Sequence, residues 1–207
     1  MGALLGNFRN TVIVSLLLSL VLIAVYGAHW VDGTGGALDQ IFWQAVTRWA
    51  HVVFGVVWIG LLYYFNFVQI RVMPNVPAEL KPGVTKYIAP EALFWFRWAA
   101  LATVVAGLIL AWLRGYLFSA LSLGGGFQNS NDALIGFGMW LALIMAINVW
   151  VFIWPNQRVA LGIGVDADAD AKARAARTAM LFSRSNLLLS FPMLVTMAMH
   201  QTITAGG

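Results

Sequence analysis

A chain of 207 residues that is 61% hydrophobic, only 10% charged and has a mean hydropathy of +0.81 is too apolar for a water-soluble domain. At about 20 apolar residues per crossing it holds five spans with short connections and leaves no length for a sizeable soluble domain. The absence of cysteine excludes disulfides, iron–sulfur clusters, thiolate metal sites and covalently attached c-type haem, and the net charge of +4 is scattered along the span flanks without a basic stripe, so lipid and not nucleic acid is the expected partner.

The expectation is an all-α integral membrane protein, one polytopic domain over residues 1–207 forming a bundle of five transmembrane helices. The first span is residues 11–28, entered after Arg9. It lacks a small-residue cleavage site and is followed by further spans, so it reads as a retained helix and not a signal peptide. Span two, residues 47–70, lies in a longer apolar stretch that ends at Arg71. The connection after it carries Pro74, Pro77, Pro82 and Pro90 with Lys81 and Lys86, which predicts a broken chain with short amphipathic pieces on the membrane surface.

Span three, residues 92–113, opens on the aromatic run Phe94-Trp95-Phe96-Arg97-Trp98, as a headgroup-level belt does, and closes at Arg114. The loop holding Gly124, Gly125 and Gly126 and then Gln128 to Asn131 reads as polar and flexible. Span four, residues 133–154, is expected to stop at Pro155. Residues 166–177 place acids first and bases after, as the helix dipole favours, and predict a short amphipathic helical extension leading into span five, residues 179–202, with a kink at Pro192.

Arg9, Arg71, Lys81, Lys86, Arg158, Lys172, Arg174, Arg177 and Arg184 fall on one side of this topology and only Arg48 and Arg114 on the other. The positive-inside rule then predicts a cytoplasmic amino terminus and an outer carboxyl terminus, N-in/C-out.

The run Thr47-Arg48-Trp49-Ala50-His51 through Gly55, Trp58 and Gly60 sets an imidazole, a guanidinium and glycines into an apolar helix, with Arg48, His51, Gly55 and Trp58 on one side. An ionisable group inside a membrane is costly and points to function. His29, His51 and His200 all fall towards the outer face. Counting from Arg71 to His51 gives about 30 Å and from Arg184 to His200 about 24 Å, so these two imidazoles lie within about one turn in height. His51 and His200 are therefore candidate iron ligands for a b-type haem, with Arg48 as the cation for its propionates and Gly55 making room for the ring. A copper or zinc site built from the three histidines is the alternative, and plain interfacial anchoring the bland one. A second set, Asn66, Arg97, Asn148, Asn156, Gln157, Arg184 and Asn186, gathers near the inner side. Amides and guanidinium groups there either bind a planar anionic ligand or hydrogen-bond helix to helix.

Four phrases carry a resemblance: Arg48-Trp-Ala-His51 through Trp58-Ile-Gly60; Ala92-Leu-Phe-Trp-Phe-Arg97-Trp-Ala-Ala100; Asn148-Val-Trp-Val-Phe-Ile-Trp-Pro-Asn-Gln157; and Arg184-Ser-Asn-Leu-Leu-Leu-Ser-Phe-Pro-Met193. Together they resemble the membrane domain of the bacterial membrane-bound, cytochrome c-linked urate oxidase (urate hydroxylase) family. The resemblance implies a multi-pass protein of the bacterial inner membrane coupled to electron transfer. There is no Cys-x-x-Cys-His before Gly207, so it implies a short form without the cytochrome c domain of the long members, passing electrons to a separate cytochrome c or a larger membrane redox complex. In that reading the inner cluster binds urate, a related purine or a quinone. The other reading is a non-catalytic accessory subunit of a respiratory or photosynthetic assembly, its ten tryptophans serving as belt and interface residues.

Overall fold

Among the described residues, five helices are long and apolar enough to cross a membrane. They are seen in a computed structural model that describes residues 5–31 and 39–205. The chain divides into two units, residues 1–48 and 49–207.

The first unit holds α1 (Phe8–Val31) and the start of α2 (Gln40–Tyr63). Asn7 caps α1, its Oδ1 accepting from the Asn10 amide at 3.2 Å, which satisfies one of the donors a helix start leaves over. Gly27 faces the Phe42 ring so closely that a methyl group in its place would come within 3.0 Å of Phe42 Cε2.

The second unit is an antiparallel arrangement of α2, α3 (Ala89–Leu113), α4 (Ser130–Ile147) and α5 (Ala169–Ala205). Its core draws on all four: Trp58 and Leu62 from α2, Phe96 and Ala100 from α3, Met145 from α4 and Met193 from α5. Between helices already in lipid there is little hydrophobic gain left, so close packing decides the contacts. The face of α3 in the core is accordingly rich in small residues, Ala99, Ala100, Ala106 and Ala111. Gly138 of α4 touches Thr196 of α5 so tightly that a methyl group there would collide with the hydroxyl. Leu188 is 75% exposed and Trp112 62%, the outward display of large apolar groups that lipid accepts and water does not.

Two helices run past the boundaries expected from proline. Pro155 does not stop α4: a π-helical segment, Asn148–Ile153, precedes it, and the helix resumes as Trp154–Leu161 and ends at Gly162, whose φ of 68° is the left-handed conformation that glycine supplies at a helix end. Pro90 does not interrupt α3 either, for the π segment Val84–Ile88 leads straight into it. Each segment ends two residues before its proline. A proline lacks the N–H and crowds the carbonyl one turn back, and a wider turn at that point removes the conflict without ending the helix. The third π segment, Tyr64–Gln69, continues α2 and has no such proline behind it. Pro192 lies inside α5, a helix of 37 residues whose first turn is capped by Asp168, the carboxylate accepting from the Ala171 amide at 2.6 Å. At 1.5 Å per residue α5 is about 55 Å long, well beyond a hydrocarbon core of about 30 Å.

The glycine loop before α4 is packed. Residues 123–127 all have positive φ, Leu123 and Phe127 included, which makes one left-handed turn. Gly124 is buried, and a methyl group on it would strike the Asn129 carbonyl. Asn129 in turn caps α4 through Oδ1, which accepts from the Asn131 and Asp132 amides. Gly136 of α4 meets the carbonyl of Ala120, from the short helix Leu117–Leu121, with no room for a side chain. Polarity suggested a free loop, yet backbone-to-backbone contact that only glycine permits holds it down.

Candidate functional site

His51 sits on the α2 face turned to α3. Its Nδ1 lies 2.8 Å from the carbonyl oxygen of Thr103. A carbonyl only accepts, so in the neutral ring Nδ1 carries the proton and Nε2 keeps the lone pair. The ring lies against Gly107: a methyl group there would come within 2.8 Å of Cε1 and 3.0 Å of Nδ1. Thr103 is itself buried and anchored, its hydroxyl donating to the Ala99 carbonyl at 2.7 Å. One turn along α2, Gly55 approaches the Thr103 methyl, 3.8 Å from where its own Cβ would be.

His200 is 2% exposed and meets the Tyr116 ring edge-on at 5.5 Å. The register between α2 and α5 is set by the Ser190 and Tyr63 hydroxyls, 3.2 Å apart, and by the stacking of Phe191 on Tyr63. Along the helix, His51 precedes Tyr63 by about 18 Å and His200 follows Ser190 by about 15 Å, so the two histidines stand at nearly one height, against different neighbours. Arg48 belongs to the first unit. The His29 backbone lies in the last turn of α1, and its side chain lies outside the described residues, as does Asp32. Among the described residues no group of three or more His, Cys, Asp or Glu is placed to hold a metal.

At the opposite end the ends of the four helices carry Arg71, Lys81, Lys86, Arg158, Lys172, Arg174 and Arg177. Here Asn148 and Asn186 form a buried pair, the Asn148 amide donating to Asn186 Oδ1 at 2.9 Å and the Asn186 amide donating to the Met145 carbonyl at 2.9 Å. Asn186 is fully enclosed. Asn66 lies apart from that pair, donating to the Leu62 carbonyl and to Ser183 Oγ, both at 2.9 Å. Arg97 spreads its guanidinium over the Trp154 ring, 3.8 Å from the centroid, with Phe94 at 5.4 Å on another side. Arg184 is exposed, and Asn156 turns back to donate to the Phe152 carbonyl. Of the inner residues named from sequence, then, Asn148 and Asn186 meet each other, while Asn66, Arg97 and Arg184 have separate surroundings.

A cavity of about 150 Å³ lies beside Asn66, between the continuation of α2, the start of α3, the end of α4 and α5. Its polar lining is Gln69, Gln157 and Ser183, and the rest is apolar, Phe65, Leu93 and Ala179 among it. Thr103, Gly107, Gln69 and Ser183 escape a reading of the sequence. Thr103 acts on His51 through its backbone, which has no residue signature; Gln69 was detectable, because it follows Asn66 at helical spacing and shares its side of the helix.

Among the described residues the fold is all-helical, with five helices long and apolar enough for a multi-pass membrane protein. No protein-family model, curated protein or solved structure matches the chain.

Proposed function

We propose that the chain is a redox subunit of the bacterial inner membrane, similar to the membrane domain of the cytochrome c-linked urate hydroxylases, with its amino terminus inside and its carboxyl terminus outside. The observation that carries this reading is the contact between His51 and Thr103. A metal-binding histidine characteristically donates its second N–H to a carbonyl or carboxylate, which fixes the ring and directs the other nitrogen's lone pair at the metal. His51 has that arrangement, with Nδ1 2.8 Å from the Thr103 carbonyl. Gly107 lies directly against the ring, where no side chain would fit. A b-type haem would take His51 and His200 as its ligands, since they stand at nearly one height, and would need both rings to turn towards one space. Such a haem supplies one-electron transfer, here towards a separate cytochrome c.

The test is an absorption spectrum of the purified protein, reduced minus oxidised, from cells supplied with haem. A b-type spectrum that disappears in His51→Ala, with the protein still folded, is the expected result; a colourless wild type removes the haem reading. A second reading, a non-catalytic accessory subunit, draws on the Asn148–Asn186 pair, which joins α4 to α5 and engages the Asn186 carboxamide through both its oxygen and its nitrogen. Colourless protein that purifies only with other membrane chains favours it.

A further inference from the structure

Arg97 is a cation for which the fold supplies no counter-ion. It lies inside α3, and a guanidinium keeps its proton at any ordinary pH. Among the described residues its contacts are to rings alone, Trp154 at 3.8 Å and Phe94 at 5.4 Å, with no hydrogen bond and no ion pair. Of the eight acids in the chain, Glu91 is the only one in α3, and its carboxylate accepts from the Trp95 indole at 2.9 Å instead. The helical segment that carries Trp154, Trp154–Leu161, has no acid. An aromatic face offsets only part of the cost of holding a cation in or beside lipid, so the balancing anion comes from outside the chain.

Depth and surroundings narrow what that anion is. Arg114 caps the other end of α3, about 25 Å from Arg97 at 1.5 Å per residue. Within a hydrocarbon core of about 30 Å, Arg97 therefore stands near the boundary at the basic end of the bundle, within reach of the phosphate layer. Its side chain is partly exposed, and Phe94 and Trp98 beside it are exposed. Trp154 covers one face of the guanidinium plane. The N–H donors lie along the edge of that plane and stay open, in the fork that fits two oxygens of one phosphate.

We propose that Arg97 binds the phosphate of a single membrane phospholipid, and a lipid of net negative charge in preference to a zwitterionic one. A zwitterionic headgroup carries its own cation beside the phosphate, which competes with the guanidinium; phosphatidylglycerol carries none. Phe94 and Trp98 give the upper part of the acyl chains an aromatic surface to lie on. The site uses none of the residues around His51 and stands whether or not haem is bound.

The experiment is native mass spectrometry of the full-length protein in detergent, titrated with phosphatidylglycerol and separately with phosphatidylcholine. Wild type is expected to bind one phosphatidylglycerol about tenfold more tightly than phosphatidylcholine. Arg97→Gln is expected to weaken that first site by about tenfold, as loss of a charge-assisted hydrogen bond does, and to bring the two lipids together. Trp154→Leu keeps the charge but removes the ring that orients it, and is expected to weaken the site severalfold. Arg71→Gln, at the same end of the bundle, removes an equal charge and is expected to leave the first site unchanged, which separates a built site from general attraction to a basic surface. Equal affinity for the two lipids in wild type, equal weakening by Arg97→Gln and Arg71→Gln, or undiminished binding in both Arg97→Gln and Trp154→Leu overturns the proposal. So does a wild type that retains no lipid but holds another membrane chain that Arg97→Gln releases, since the anion is then a protein carboxylate.

Discussion

Gly107 and His51 form a pair in which each residue is fitted to the other. With a methyl group at 107 the closest approach to the imidazole falls to 2.8 Å, so Gly107→Ala must turn the ring away from Thr103 or push α2 from α3. Overpacking of this kind costs about 1–3 kcal/mol. Thermal unfolding in detergent is expected to show that loss in the single variant and nearly none of it when His51→Ala is already present, because the clash leaves with the ring. Equal losses in both backgrounds would mean that the glycine serves some other contact. If haem is bound through His51, Gly107→Ala also lowers haem content or shifts its spectrum, which a purely packing role would not do.

Helices α4 and α5 are joined by contacts of two kinds. The Asn148–Asn186–Met145 chain is one, and its bonds are buried. Asn186→Ala removes both and leaves the Met145 carbonyl and the Asn148 amide without that partner. In a membrane interior such bonds contribute about 0.6–2 kcal/mol, so a fall in stability of that size is expected, and Asn148→Ala added to it should cost little more. Close backbone approach is the other kind, with a sharper penalty. Gly136→Ala sets a methyl group against the Ala120 carbonyl, which cannot rotate aside as a side chain can. It is expected to destabilise more than Asn186→Ala and to loosen residues 117–127, detectable as faster proteolysis of that loop. Equal stability of Gly136→Ala and wild type would count against the packed form of the loop.

For the whole molecule, the second unit collects most of its basic side chains at the end shared by Arg71, Lys81, Arg158 and Lys172, and the inner leaflet is the side where such residues reside. The chain has no cysteine of its own, so single cysteines report sidedness without background. Lys172→Cys is expected to react with a membrane-impermeant maleimide only in inverted vesicles, and Asn131→Cys only in intact cells. The opposite pattern would turn the bundle over and place His51 and His200 towards the cytoplasm.

Class, span number and the approximate place of each span are determined by the sequence alone, because length and hydropathy are local properties and the cost of exposing backbone to lipid permits few alternatives to helices. His51 and Asn148 were likewise visible, as polar groups in apolar helices. Their partners were not. His51 meets Thr103 across 52 positions and Asn66 meets Ser183 across 117, and such pairings depend on how each helix is rotated and slid against its neighbour, which hydropathy does not encode. The prolines show the same division: Pro90 and Pro155 mark where a helix is in difficulty, but a π turn with good packing on both sides carries it through where a lone helix would break. The cavity at Gln69 is the clearest case, since an empty volume belongs to no residue and arises only when four helices are set side by side.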